Sequence, residues 1–69
     1  HIFKAVTGKS LKEYIAYIRV EKAKELLYNT NLSVKEIAES VGYSDQNYFS
    51  RIFKKYSGES PLGYRKKYN

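Results

Sequence analysis

Two Ser-x-x-Glu boxes constrain most strongly what this chain of 69 residues can fold into. The first runs from Ser10 to Glu13 and the second from Ser33 to Glu36, and each precedes apolar residues at helical spacing. In such a capping box the Ser and Glu side chains each satisfy a backbone amide at the start of a helix. No segment has the apolar–polar alternation of a strand. The sequence therefore predicts an all-α fold.

Single residues mark the other helix boundaries. Gly42 is expected to end the second helix in a left-handed conformation. Ser44 is expected to cap the third helix, with Asp45 in its first turn. Ser60 followed by Pro61 is typical of an N-cap and a first helical residue. We predict four helices, over about 11–28, 34–41, 45–56 and 61–68.

The third helix carries its apolar residues on one face, at the spacing i, i+3, i+4, i+7: Phe49, Ile52, Phe53 and Tyr56. We expect its two phenylalanines to be buried against residues of the second and fourth helices, namely Ile37, Val41 and Tyr64. The back half of the first helix, residues 23–27, is expected to pack on the same core.

Composition excludes several classes of protein. The chain has no Cys and a single His, His1, so neither a disulfide scaffold nor a Cys/His metal site is expected. No apolar run approaches the roughly 20 residues of a membrane helix, and no membrane partner is expected. A Gly-rich phosphate loop and a nucleophile–base pair are both missing, so we expect no enzyme and no cofactor. The absence of Cys fits a cytoplasmic setting.

Positive charge is concentrated towards the end of the chain. The net charge is +6. Residues 46–69 contain six Lys or Arg and one acid, Glu59, whereas residues 1–45 contain seven bases and six acids. A solvated basic tail is one interpretation, but eight Tyr and three Phe are too much apolar area for a disordered chain. The alternative is a folded surface for a polyanion such as DNA.

Residues 33–53 have the pattern of a helix-turn-helix motif. Gly42 supplies the turn, Tyr43 fills the corner, and Ala38 is small where the two helices must approach closely. This motif places the N-terminal half of its second helix in the DNA major groove. A helix–Gly–helix corner also occurs in many bundles that bind no DNA, so the content of the second helix carries more weight than the corner.

Four polar side chains of that helix can read bases: Asn47, Ser50 and Arg51, which lie opposite Phe49, and Gln46, which is exposed in the first turn. Gln and Asn can pair with adenine through two hydrogen bonds, and Arg can do so with guanine. Lys54 and Lys55 suit phosphates, whereas Tyr48 either packs or binds a phosphate. Under the alternative interpretation, Gln46 and Asn47 are ordinary first-turn residues and Arg51 belongs to a solvated face.

Segments 2–14 and 52–64 resemble each other at an offset of fifty residues. Six of the thirteen positions are identical, including Phe3 with Phe53 and Tyr14 with Tyr64. One explanation is that junctions of a helix, a Gly and an N-cap use similar residues wherever they occur. The other is that a structural unit has been duplicated. Duplication predicts that the chain begins inside a first copy whose earlier helices precede His1.

The run from Ser33 to Tyr68 resembles the C-terminal helix-turn-helix signature of the AraC/XylS family of bacterial transcription regulators. The most specific parts of the match are the run Gly-Tyr-Ser-Asp-Gln-Asn-Tyr-Phe-Ser-Arg and the closing Ser-Pro and Tyr-Arg. The resemblance implies two helix-turn-helix units joined by a long helix. Residues 1–32 then hold the end of the first reading helix plus the linker helix, and residues 33–69 a complete second unit. The family's base-reading positions fall on Gln46, Asn47 and Arg51, and His1 matches Arg51 in the first unit.

We therefore expect a homeodomain-like helix-turn-helix bundle that binds double-stranded DNA for a bacterial regulator, most simply an activator. Helix 45–56 reads bases, and the phosphate contacts come from the caps and nearby side chains: Ser33, Lys35, Ser44, Tyr48, Lys54 and Lys55. The alternative is a protein-interaction module that docks on RNA polymerase or on a regulatory domain. An apolar surface of Phe3, Tyr14, Ile15 and Ile18 is expected to be exposed at the front of the chain. Through it the chain should self-associate, swap segments or fray before about residue 18.

Overall fold

The computed structural model describes residues 10–68 and contains four helices and no strand in that range. The helices are α1 (Leu11–Asn29), α2 (Val34–Ser40), α3 (Gln46–Ser57) and α4 (Pro61–Tyr68). The all-α class and the order of a long helix followed by three shorter ones are confirmed. None of these four helices is long and apolar enough to cross a membrane.

Both predicted capping boxes form. At the start of α1, the Glu13 amide donates to Ser10 Oγ at 3.2 Å and the Ser10 amide donates to Glu13 Oε1 at 2.9 Å. At the start of α2, the Glu36 amide donates to Ser33 Oγ at 3.0 Å and the Ser33 amide donates to Glu36 Oε1 at 2.8 Å. These local bonds explain why the two helices begin where the sequence pattern predicts.

The start of α3 differs from the prediction by one residue. Asp45, not Ser44, is the N-cap, and the helix begins at Gln46. Asp45 Oδ1 accepts hydrogen bonds from the amides of Asn47 at 2.9 Å and Tyr48 at 3.3 Å. A single carboxylate oxygen thus satisfies two amides that the first turn leaves unpaired, and it also places negative charge at the positive end of the helix.

The core lies where the back half of α1 meets the other three helices. Its buried members are all apolar: Val20, Ala23, Leu27, Val34, Ile37, Ala38, Val41, Phe49 and Phe53. The ring centroid of Phe53 lies 5.8 Å from that of Phe49 and 5.7 Å from that of Tyr64, which packs edge-on. The predicted burial of Phe49 and Phe53, and the packing of residues 23–27 on the same core, are confirmed.

The front half of α1 is much more exposed. Ile15 and Ile18 are 41% and 46% exposed, and Leu11 is 63% exposed. Tyr14 is half-buried, so it is more covered than expected. Phe3, the fourth member of the predicted surface, lies outside the described residues. The long helix therefore has a buried back half and a front half whose apolar residues face outward.

Candidate nucleic-acid interface

The corner between α2 and α3 is a closed Schellman turn. The Tyr43 amide donates to the Ala38 carbonyl oxygen at 2.8 Å, and the Gly42 amide donates to the Glu39 carbonyl oxygen at 3.2 Å. Gly42 has a φ of +106°, a conformation that residues with a Cβ rarely adopt. Ala38 is fully buried beneath the corner. The roles expected for Gly42 and Ala38 agree with this geometry.

The Tyr43 ring connects the corner to the start of α3. Its centroid lies 5.7 Å from that of Phe49 and 5.8 Å from that of Tyr48. Phe49 is buried and Tyr48 is 43% exposed, so Tyr43 contacts one inward-facing and one outward-facing residue of the same helix. These contacts fix the first turns of α3 relative to α2. The Tyr48 ring packs on that of Tyr43, and packing was one of the two roles expected for it.

The outward face of α3 presents one amide and two cations. Phe49 and Phe53 are fully buried, and at about 100° per residue the opposite side of the helix carries Asn47, Arg51 and Lys54. All three of these side chains are exposed. An exposed row of polar side chains on one side of a helix is what a recognition helix presents to base edges.

The other two predicted base readers lie on the flank of α3 that faces α4. Gln46 is exposed and Ser50 is half-buried. They line a hollow of about 110 Å³ whose other walls come from the starts of α2 and α4: Val34, Ser60, Pro61 and Leu62. Leu62 is 64% exposed beside them and was missed by sequence reasoning. Its only signal is an apolar residue directly after the Ser-Pro helix start.

Tyr48 and Lys55 lie on the opposite flank, which faces α1. Both line a larger groove, about 730 Å³ in volume, between α3 and the front half of α1. Lys55 Nζ lies 5.7 Å from the centroid of the Tyr56 ring. The two neighbouring lysines of α3 thus lie on different sides of the helix: Lys54 on the outward face, and Lys55 on the flank that faces α1.

The helix starts that were expected to bind phosphates already hold carboxylates. Glu36 occupies the start of α2, where hydrogen bonds from the Ser33 amide and hydroxyl hold the pKa of its carboxyl below the ordinary value. The Asp45 carboxylate occupies the start of α3, next to Ser44. The Ser33 amide is thus engaged by Glu36. Lys35, which was also expected to contact phosphate, is an exposed cation in the first turn of α2.

No group of three or more His, Cys, Asp or Glu side chains within residues 10–68 is arranged to hold a metal ion. The outward face of α3 offers hydrogen bonding and charge, with amide and guanidinium groups on the outward row and ammonium groups on and beside it. These groups are complementary to base edges and phosphate oxygens.

A comparison with known protein families matches residues 1–67 to a family described as "Helix-turn-helix domain". The chain belongs to this AraC-type family of helix-turn-helix domains. The AraC/XylS resemblance found in the sequence is thereby confirmed. The domain is a DNA-binding domain of the kind found in bacterial transcription regulators.

Relatives of known role agree with this membership. The chain is 48% identical over 65 residues to the Msm operon regulatory protein of Streptococcus mutans, covering 94% of this chain and 23% of that protein. It is 54% identical over 65 residues to the HTH-type transcriptional activator Btr of Bacillus subtilis, covering 94% of this chain and 12% of the relative. The chain therefore spans a quarter or less of these two proteins. Neither match supports the alternative of a protein-docking module.

A solved structure shares the fold. The C-terminal domain of AraT, a response regulator from Geobacillus stearothermophilus, superposes with a TM-score of 0.89 at 50% identity. The match covers 93% of this chain and 53% of the other. Together with the four helices described above, this similarity confirms the helix-turn-helix bundle that the sequence predicts.

Proposed function

We propose that this helix-turn-helix domain reads a specific DNA sequence by inserting α3 into the major groove. The observation that carries the proposal is the exposed row of Asn47, Arg51 and Lys54, which lies opposite the buried Phe49 and Phe53 and follows a closed turn. A rigid corner followed by an exposed polar helix face is the arrangement with which such motifs read bases.

Within this row we assign a different role to each side chain. Arg51 pairs with guanine O6 and N7, and Asn47 pairs with adenine, because each presents two hydrogen-bonding groups in one plane. Lys54, nearer the end of the helix, neutralises a phosphate. Gln46 and Ser50 read the neighbouring base pair from the α4 flank.

Further phosphate contacts are proposed at the edges of this face. Lys35 is an exposed cation in the first turn of α2, and Lys55 and Tyr48 lie on the α1 flank. Ser33 and Ser44 can contribute hydroxyl donors next to their capped helix starts. Because Glu36 and Asp45 place carboxylates at the same starts, we rank Lys35 above both serines as a phosphate contact.

The wider role is that of one segment in a longer regulator. We propose that the chain has a binding role and no catalytic one, acts in the cytoplasm, and serves transcriptional activation, as its relative Btr does by name. An activator bound near a promoter lies close to RNA polymerase, which we propose as a second partner. Residues 1–32 are assigned to the end of a first unit plus the linker helix, and residues 33–69 to a complete second unit.

We also propose that the isolated chain self-associates through the front half of α1. Ile15 and Ile18 are exposed on this helix, Tyr14 is half-buried nearby, and Phe3 is assigned to the same surface from the sequence. In sedimentation velocity, Ile15→Ser combined with Ile18→Ser should lower the mean mass to that of a monomer. Leu62→Ser removes a still more exposed apolar residue from α4 and is the control. A wild-type chain that is monomeric at all concentrations contradicts the proposal.

The test of DNA reading is selection from a pool of random duplexes, followed by titration of salt. The chain should enrich one sequence pattern, and the logarithm of its affinity should fall linearly with the logarithm of salt concentration, by about 0.9 for each phosphate neutralised. Enrichment of no sequence, with affinity for all duplexes alike, contradicts the proposed base reading. Binding that does not respond to salt contradicts the proposed phosphate contacts.

A further inference from the structure

Arg19 of α1 covers the turn between α2 and α3. Its Cζ lies 5.0 Å from the centroid of the Tyr43 ring. A Cβ atom built on Gly42 would lie 3.1 Å from Arg19 Cζ, 3.2 Å from Nη2 and 3.3 Å from Nε. The guanidinium therefore rests against the bare Cα of Gly42 and also lies over the neighbouring aromatic ring. Arg19 itself is half-buried.

The same Tyr43 ring contacts α3 through Tyr48 and Phe49, with centroid separations of 5.8 Å and 5.7 Å. A continuous set of contacts thus runs from Arg19 through Tyr43 to the first turns of α3. Asn47 lies within that segment, and Arg51 lies one turn beyond Tyr48 along the helix. This set of contacts links Arg19 to the part of α3 that carries the outward-facing side chains.

The chemistry of the contact requires a planar cation. Arginine presents a flat, delocalised guanidinium that can lie over an aromatic ring, whereas the lysine ammonium is a compact, strongly hydrated charge. Gly42 leaves the space for this plane, because any Cβ there would be in tight contact with it. Arg19 of α1 and Gly42 of the turn between α2 and α3 are therefore matched to each other.

We propose that Arg19 is a positioning residue for base readout, which sets the orientation of α3 relative to α1 through Tyr43 without touching DNA. This inference rests on the proposed reading of DNA by α3. The rival role for a cation near this turn is a direct phosphate contact. A lysine at this position separates the two roles. It retains the charge that a phosphate contact needs but lacks the planar group that lies over Tyr43.

The experiment measures affinity for two duplexes of equal length, one selected by the wild-type chain and one of random sequence. Arg19→Lys should lower affinity for the selected duplex by roughly three- to tenfold, because part of the lost cation–π free energy is then needed to restore the orientation of α3 on binding. Affinity for the random duplex and the salt slope should stay unchanged. Lys22→Gln removes an exposed cation from the same helix and is the control.

A second pair of variants tests the contact from the other side. Tyr43→Leu should reproduce the loss of discrimination seen in Arg19→Lys, while Tyr43→Phe retains the ring and should behave like the wild type. In the free chains, the amide chemical shifts of Asn47 and Arg51 should move in Arg19→Lys and Tyr43→Leu but not in Lys22→Gln. This readout needs no DNA and also shows that the variants fold.

Two outcomes overturn the proposal. In the first, Arg19→Lys distinguishes the selected from the random duplex as well as the wild type does, and Arg19→Gln lowers the salt slope by about one. That result assigns Arg19 to a phosphate contact. The other is unchanged α3 amide shifts in Arg19→Lys. Failure of the proposed function itself is a separate result, because the wild-type chain then selects no duplex at all.

Discussion

The Arg65 side chain of α4 donates from Nε to the carbonyl oxygen of Leu27 in the last turn of α1, at 3.1 Å. Its Nη2 donates to the carbonyl oxygen of Thr30 at 3.1 Å. The last carbonyls of a helix have no partner within the helix and carry partial negative charge. Arg65 satisfies one of them and ties α4 to the end of α1.

Replacing Arg65 should therefore weaken the whole domain. Arg65→Ala should lower the free energy of unfolding by about 1–3 kcal/mol, since two half-buried carbonyls lose a charged donor. Lys66→Ala, which removes an exposed cation from the next position, should change it by less than about 0.5 kcal/mol. Urea unfolding monitored by circular dichroism measures both. Equal effects of the two variants would show that Arg65 does not hold α1.

Phe49 is one of the largest side chains in the core. It is fully buried, and its ring contacts those of Tyr43 and Phe53. Phe49→Ala should cost roughly 3–5 kcal/mol, which is most of the stability available to so small a domain. Leu62→Ala, at an exposed site, is the control. A Phe49→Ala variant that still melts cooperatively near the wild-type temperature contradicts this burial.

Gly42 and Gly58 form a matched pair for testing the contact with Arg19. Both have positive φ, at +106° and +84°, but a Cβ at Gly58 meets nothing within 4 Å. Alanine at either position should cost about 1–2 kcal/mol of backbone strain. Gly42→Ala should cost about 0.5–1 kcal/mol more, because it displaces Arg19 from Tyr43. That excess should vanish in an Arg19→Ala background when unfolding free energies are compared in a double-mutant cycle.

The capping box at Glu36 predicts a dependence of stability on acid. The pKa of this carboxyl is lowered in the folded chain by the Ser33 amide and hydroxyl. The unfolded state therefore binds the proton more readily, so the contribution to stability is present above the unfolded pKa and is lost as pH falls through the folded pKa. Glu36→Gln should flatten the acid side of the stability curve. Glu39→Gln, in the same helix but away from its start, should flatten it less, and an equal flattening would contradict the assignment.

Local signals predicted the helices well, because the interactions that start and stop them join residues no more than five positions apart. Ser10, Ser33 and Gly42 act as the sequence pattern indicates. The one-residue error at α3 has a specific cause. Ser44 and Asp45 are both good N-caps, and only the three-dimensional path of the chain decides which oxygen meets the amides of Asn47 and Tyr48.

The candidate site was predicted only in part, for a physical reason of a different kind. The burial of Phe49 and Phe53 gives the outward face of α3 directly. The separation of Gln46 and Ser50 from Tyr48 and Lys55 depends instead on where α4 and α1 pack. The contacts of Arg19 with Tyr43 and of Arg65 with Leu27 join residues far apart in sequence, and no local pattern predicts them.

The most direct test of base reading by α3 compares Arg51→Ala with Lys54→Ala on duplexes selected by the wild-type chain. Arg51→Ala should cost about 1–3 kcal/mol on the selected duplex and abolish the preference at one base pair, while affinity for random duplexes changes little. Lys54→Ala should weaken binding to all duplexes alike and reduce the salt slope by about one. If Arg51→Ala instead weakens binding to selected and random duplexes equally, Arg51 reads no base and the account of α3 as the recognition helix is contradicted.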